Sequence, residues 1–195
     1  MLKIIPHSSF KTIPWKNGKG STLELAINPN GRLDDFDWRL SIATVENDGV
    51  FSDFTGYTRN LVLIDGKGII LHHNENHIDH LNNKLEYSTF DGANKTNAKL
   101  VAGTITDFNL MTRTNTFNGR VETFVERQKV VLEQSQLCFI YSHSNDLEIK
   151  NESNNESNNE KNVLSFGNLL QITNNLDSQI IISGENFIAI YINKK

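Results

Sequence analysis

The chain carries one cysteine, Cys138, among its 195 residues. No disulfide can close within it, and a lone thiol inside the apolar run "LCFIY" reads as a small core side chain. No basic residue adjoins it in sequence, a poor setting for a reactive thiolate. Long apolar runs are missing too. Nothing is long enough to span a bilayer, and "MLKIIPHSSFKTIPW" lacks the continuous apolar stretch of a signal peptide. The expectation is a cytoplasmic protein with no membrane partner. Basic charge is in deficit: 19 Lys and Arg face 23 Asp and Glu, a net charge of -4. That removes any general pull toward nucleic acid or anionic lipid.

Familiar catalytic signatures are absent as well. There is no G-x-S-x-G elbow and no marked Ser-His-Asp or Cys-His set. The stretch "IPWKNGKGSTLEL" looks at first like a phosphate loop. Such a loop needs a Gly five places before a Gly-Lys pair, and Ser or Thr after it. Here Gly18 and Lys19 are followed by Gly20, the upstream place is Ile13, and a strand pattern follows. No helix N-terminus would face the anion. Two readings of the stretch stay open: an ordinary turn into a strand, or one wall of a ligand pocket.

What the chain does contain is short strands. Its length and 37% hydrophobic content allow one domain or two small ones. "TLELAI" sets Thr22, Glu24 and Ala26 against Leu23, Leu25 and Ile27, the two-residue period of a strand. "WRLSIATV" sets Trp38, Leu40 and Ile42 against Arg39, Ser41 and Ala43. "NLVLI", "DGKG" and "IILHH" together predict a hairpin, with glycines at the turn. "LLQI", "QIIIS" and "FIAIYI" are three further strands near the end. "VETFVERQKVVLEQSQL" alone competes as a helix, through Val121, Phe124 and Val125, against its β-branched content. So many short strands predict an all-β sandwich or barrel, with two small barrels as one arrangement. The segment "NESNNESNNEKN", 151–162, has no apolar side chain and reads as a mobile surface loop.

His72, His73, His77 and His80 crowd into "LHHNENHIDH". Adjacent strand residues point to opposite faces, so His72 and His73 do not readily share one ion. A polar hairpin tip with partly solvated histidines is expected, and no metal or other cofactor. Polar faces are more informative. "DFNLMTR" puts Asp107, Asn109, Met111 and Arg113 on one face and Phe108, Leu110 and Thr112 on the other. Arg39 and Ser41 share a face, and Arg59 follows the aromatic loop "GVFSDFTGYTR". In a small barrel such a face needs partners or a ligand. Against that stands the plainer reading: the arginines are solvated, or pair with Glu24, Asp107 and Asp53 as structure.

Three blocks, "PWKNGKGSTLEL", "DWRLSIATVENDGVFSDFTGYTRNLVLIDGKG" and "DFNLMTR", resemble in order the signature blocks of the HutD/Ves family. The resemblance covers about the first three-fifths of the chain. It implies a bicupin, two cupin-type (jelly-roll) β-barrels in one chain, and a homodimer. The barrels would lie at 1–116 and 117–195, with strands open to sharing between them. It further implies a role in histidine utilisation, restrained by binding an acidic intermediate: urocanate, formiminoglutamate or formylglutamate. Ves-type members are linked to stress or cold. The family blocks carry over onto Trp15, Asn17, Gly18, Gly20, Thr22 and Glu24, then onto Arg39, Ser41, Gly49, Phe51, Ser52, Gly56 and Arg59. The last block gives Asp107, Asn109, Met111 and Arg113. Where the family often has a second Arg, this chain has Thr114.

The expected ligand is a small carboxylate-bearing metabolite. Trp15 and Asn17 would stand at the mouth or wall of the first barrel, and Met111 belongs to the same ligand-binding set. Arg39, Arg59 and Arg113 would supply planar forks for carboxylate. Asn17, Thr22, Ser41 and Asn109 would read amide, formyl or imidazole atoms, and Glu24 would accept from an N–H. The rival expectation is a metal-independent isomerase or hydrolase with Glu24 or Asp107 as general base beside an arginine-stabilised oxyanion. Binding ranks above catalysis, because no histidine or activated nucleophile belongs to the shared blocks.

Overall fold

Alternation of apolar and polar residues decides how this chain folds. The computed structural model describes residues 1–15, 20–74, 77–152, 161–173 and 179–195. Among them there is no α-helix. β1 (Leu2–Ile5) opens the chain, followed by a 3₁₀ turn at His7–Ser9. Then come β2 (Lys11–Pro14), β3 (Ser21–Ile27), β4 (Trp38–Val45), β5 (Gly49–Val50) and β6 (Tyr57–Asp65). β7 (Ile69–His73), β8 (His77–Leu81), β9 (Tyr87–Asp91), β10 (Thr96–Leu100) and β11 (Ile105–Arg113) follow. The chain forms two compact units. One comprises Phe10–Gly119 with Lys195; the other comprises Met1–Ser9 and Arg120–Lys194.

The unit 10–119 holds two antiparallel sheets, ordered β2-β3-β4-β11-β6-β9 and β5-β10-β7-β8. Leu61 and Leu63 from β6 share one buried cluster with Ile69 and Leu71 from β7, Leu81 from β8 and Ala98 from β10. The sheets therefore face each other across that core, as stacked sheets do. β6 and β7 do not form the expected hairpin. They belong to different sheets, and "DGKG" carries the chain from one to the other. Gly66 (φ 103°) still meets the need for a positive φ, and a Cβ there would lie 2.6 Å from Ile105 Cγ2. β7 instead pairs with β8, with His73 opposite His77.

β3 departs from simple alternation. Its register on β4 slips between Glu24 and Ala26, a bulge that brings Ile27 opposite Arg39. Thr22, Glu24 and Ile27 thus lie on the Arg39 side, and Ile27 packs against Met111, Phe36 and Tyr57.

The other unit contains β12 (Phe117–Phe124) from Arg120 onward, β13 (Gln128–Val131), β14 (Leu137–Ser142) and β15 (Leu147–Glu152). β16 (Lys161–Leu164), β17 (Leu169–Thr173), β18 (Gln179–Gly184) and β19 (Phe187–Lys194) complete it. The sheets run β1-β17-β14-β19-β12 and β13-β18-β15-β16. The helix competitor is strand throughout its regular parts. Val121 is buried, and Phe124 stacks on Phe187 at 4.6 Å. β1 joins this unit from the far end of the sequence, with Leu2 opposite Ile172. Cys138 lies in the core beside Ile140, Ile172 and Tyr191, and burial pushes its thiol pKa far up. Of the polar segment 151–162, the ends belong to β15 and β16; 153–160 lies outside the described residues.

Candidate functional site

β4, β11 and β6 are adjacent strands, and their register builds the site. Met111 on β11 stands opposite Arg39 on β4 and opposite Arg59 on β6. The row reads Arg39–Met111–Arg59, two guanidinium side chains either side of a thioether. One step along, Asn109 faces Ser41, and one step further Asp107 faces Ala43. Strands spaced ~4.8 Å apart put the two arginine backbones about 10 Å from each other.

This face opens on a cavity of about 460 Å³. That is the size of an ordinary small-molecule site, roughly 300–1,000 Å³. Trp15, Thr22, Arg39, Ser41, Arg59, Asn109, Met111 and Asp107 line it, joined by Phe51 and Phe54. Eight sequence-chosen residues are thereby brought together. Leu33 and Val50, also on the lining, are exposed and give it an apolar rim.

Two of the chosen residues stand elsewhere, and a third is not described. Asn17 lies outside the described residues, with Gly18 and Lys19. Glu24 is absent from the lining; its Oε2 accepts from Arg39 Nε at 2.8 Å. Arg113 is absent as well. It pairs with Asp35 at 2.5 Å and Asp37 at 3.3 Å, donates to the Phe36 carbonyl and stacks on Tyr57. The structural pairing weighed from sequence is thus realised for Arg113, with different acids. Asp53 takes no arginine in these contacts; its carboxylate accepts from Thr55. Thr114, in place of a second arginine, meets Thr58 at 3.1 Å.

The two cavity arginines differ in their surroundings. Arg39 is 3% exposed and has Glu24 as counter-charge, but its Nη2 has no partner among the described residues. Arg59 is 6% exposed and makes no ion pair among the described residues. Its Nη2 donates to Asn109 Oδ1 at 2.9 Å, while its Nε is buried without a partner. Aromatic faces hold it: Phe51 and Phe90 at 5.1 Å and Phe54 at 5.5 Å from the guanidinium carbon. Such contacts contribute roughly 0.5–2 kcal/mol each but leave the N–H donors free. Burial pulls the Arg59 pKa down to about 10, against an upward pull from Asp107.

Asp107 is 1% exposed and accepts a short hydrogen bond from Asn109 Nδ2. Burial raises its carboxyl pKa to about 6, in spite of Arg59 and Asn109. Trp15 is fixed from two sides. Its Nε1 donates to Thr22 Oγ1 at 2.8 Å, and its ring lies on Gly20, where a Cβ would sit 3.0 Å away. The glycine after the loop is thus a close-approach position for the indole wall.

The histidines form a separate arrangement. His73 is buried rather than partly solvated, with Nδ1 at 2.9 Å from Thr96 Oγ1 and Nε2 at 3.2 Å from Asp79 Oδ2. His77 meets the other oxygen of Asp79 at 3.0 Å, and Ser88 donates to the first. Among the described residues no three His, Cys, Asp or Glu groups gather in a way that would hold a metal.

Sequence reasoning passed over Phe90, one of the rings around Arg59. The alternation of "YSTFD" on β9 was the available signal, since Ser88 and Phe90 are its buried positions. It also passed over His73 with Asp79, six residues apart across a hairpin.

A family profile described as HutD matches residues 7–189. The chain belongs to the HutD family. An uncharacterized 21.2 kDa protein in the hutC 3′ region of Pseudomonas putida is 30% identical over 152 residues, covering 76% of this chain and 77% of that protein. The protein Ves of Escherichia fergusonii is 35% identical over 108 residues, 55% of this chain and 56% of its own. A structure of HutD from Pseudomonas fluorescens SBW25, in a formate condition, superposes with TM-score 0.82 at 26% identity over the whole of both chains. Oxalate decarboxylase from Lactobacillus farciminis, at 8% identity and TM-score 0.60, shares the cupin-type fold alone.

Proposed function

We propose that this family member is a small-molecule-binding bicupin that takes a small carboxylate-bearing metabolite in the 10–119 cavity and thereby modulates histidine utilisation. The observation that carries the reading is Arg59, a buried guanidinium with no carboxylate partner among the described residues and an unsatisfied Nε, on a cavity of ligand size. A buried cation whose acid, Asp107, reaches it only through the Asn109 amide is incompletely compensated, and an incoming carboxylate in direct contact relieves that cost. Arg39, Ser41 and Asn109 supply donors and acceptors beside it, and Trp15 a flat apolar wall.

Urocanate, with one carboxylate, and formiminoglutamate and formylglutamate, with two, each offer an anion to Arg59. The gene neighbourhood of the Pseudomonas putida relative supports a link to histidine utilisation. A few charge-assisted hydrogen bonds, ~1.5–3 kcal/mol each, sustain micromolar affinity after the costs of association.

The test is thermal denaturation with each of the three metabolites at millimolar concentration. One or more should raise the melting temperature of the wild type and not that of Arg59→Ala. The reading fails when no acidic metabolite moves the wild-type curve.

Asp107 favours a second reading. A carboxyl with a pKa of about 6, two strand positions from an arginine-bound amide, suits a general base near neutral pH. Arg59 would then stabilise an oxyanion in a metal-independent isomerase or hydrolase. Glu24, committed to Arg39, is the weaker base candidate. Mass spectrometry of bound ligand after incubation separates the two: new product supports catalysis, unchanged ligand supports binding.

A further inference from the structure

The buried charges around the cavity are unequally matched. Glu24 neutralises Arg39 at 2.8 Å, with both side chains nearly enclosed. Arg59 reaches a carboxyl only through an intermediary. Its Nη2 donates to Asn109 Oδ1, and Asn109 Nδ2 donates to Asp107 Oδ1. One buried amide thus stands between the guanidinium and the acid.

A ligand carboxylate seated on Arg59 adds a second negative group to the space that Asp107 occupies. Two carboxylates sharing one cation in a dry site do not both stay ionised at neutral pH. A proton on Asp107 resolves the conflict. The neutral acid keeps its bond from Asn109 through the carbonyl oxygen and gains an O–H donor. A second ligand carboxylate finds no such relief, because Arg39 is already matched by Glu24.

We propose that the cavity selects ligands with a single carboxylate, and that each binds together with one proton taken up by Asp107. This rests on the binding role proposed above and, of its three metabolites, keeps urocanate, the one with a single carboxylate.

The surroundings of Asp107 support the direction. Beside Arg59 on β6, the charged groups on its sheet near the cavity are Arg39 on β4 and Glu24 on β3, a closed pair. From the opposing sheet comes His73 on β7, held by Asp79 on β8, whose ring lies 4.4 Å from Phe90. Phe90 carries Arg59 on its ring at 5.1 Å. Even without ligand, burial holds the Asp107 pKa at about 6, so the proton is available near neutrality.

Two planar probes of similar length decide it: furylacrylate, with one carboxylate, and muconate, with two. Calorimetric titration of the wild type should show furylacrylate affinity falling about tenfold for each pH unit above about 6. Muconate should bind at least about tenfold more weakly at every pH. In Asp107→Asn the furylacrylate profile should be flat. Should that variant fail to fold, titration of the wild type in buffers of contrasting ionisation heat gives the proton count directly, close to one near neutral pH. A flat wild-type profile, a count of zero, an unchanged slope in the variant, or muconate binding as tightly as furylacrylate overturns the inference but leaves anion binding intact. Failure of every carboxylate to bind between about pH 5 and about pH 8 overturns both.

Discussion

Arg39 and Arg59 flank Met111 in one cross-strand row, yet Glu24 lies 2.8 Å from Arg39 while Arg59 makes no ion pair among the described residues. Two chemically identical side chains, equally buried, therefore play different parts. Arg39 is half of a closed pair with its Nη2 unpartnered. Arg59 is a held cation, fixed by rings and one amide, whose charge meets Asp107 only through that amide.

Removing that charge while keeping its bulk should separate binding from folding. Arg59→Met is measured at about pH 5, where Asp107 is protonated and needs no cation. The melting temperature of the ligand-free protein is expected to stay level or rise, because a desolvated cation with no carboxylate in direct contact disappears. Carboxylate affinity should fall by roughly 2–5 kcal/mol, read by calorimetric titration. A large fall in melting temperature with affinity intact would contradict the assignment.

Glu24→Gln should do the reverse. It strands Arg39 without its counter-charge, and breaking one side of a buried pair costs about 3–5 kcal/mol. Urea denaturation checks this. The same change should improve binding of a ligand with two carboxylates, since Arg39 then has charge to spare; an unaltered urea midpoint sinks the prediction.

Asp107 sets a pH dependence of stability with a definite sign. Its folded pKa of about 6 lies above the ordinary carboxylate value. The stability it contributes is complete below about pH 4 and is lost as pH rises to about 6, about 3 kcal/mol in all. His73 works in the opposite sense. Burial lowers its pKa, so its contribution fades on acidification. Asp107→Asn should therefore exceed the wild type in stability above about pH 6 and match it near pH 4, measured by urea denaturation across that window. A difference independent of pH would refute it.

Gly20→Ala tests the indole wall. A Cβ would sit 3.0 Å from Trp15 Cε3 and Cζ3, a tight approach that pushes the ring from its place beside Thr22. Carboxylate affinity is expected to drop about tenfold and the melting temperature to fall with it, because Gly20 holds φ at 156°, which side chains rarely adopt, and Trp15 packs on the buried cluster. Unaltered affinity would show that Trp15 is not part of the binding surface.

Much of this was legible in the residues. Period-two alternation in "WRLSIATV" and "DFNLMTR" gave strands whose polar faces meet, and those faces became the cavity. The rest escaped for physical reasons. Local pattern does not say which sheet a strand joins, so β6 and β7 read as a hairpin when their turn crosses between sheets. Nor does it reveal a bulge, which turned Ile27 toward Arg39, or a pairing as distant as Leu2 with Ile172. The three arginines looked alike in sequence. Only the acids that reach them, Glu24 for Arg39 and Asp35 and Asp37 for Arg113, separate structural charge from the one left unmatched.

A crystal structure of the wild type soaked with furylacrylate tests the central claim most directly. The account predicts carboxylate oxygens within about 3 Å of the Arg59 guanidinium, with Nε among the donors. A carboxylate bound on Arg113 or at another surface, with the Arg59 cavity left to water, would contradict it.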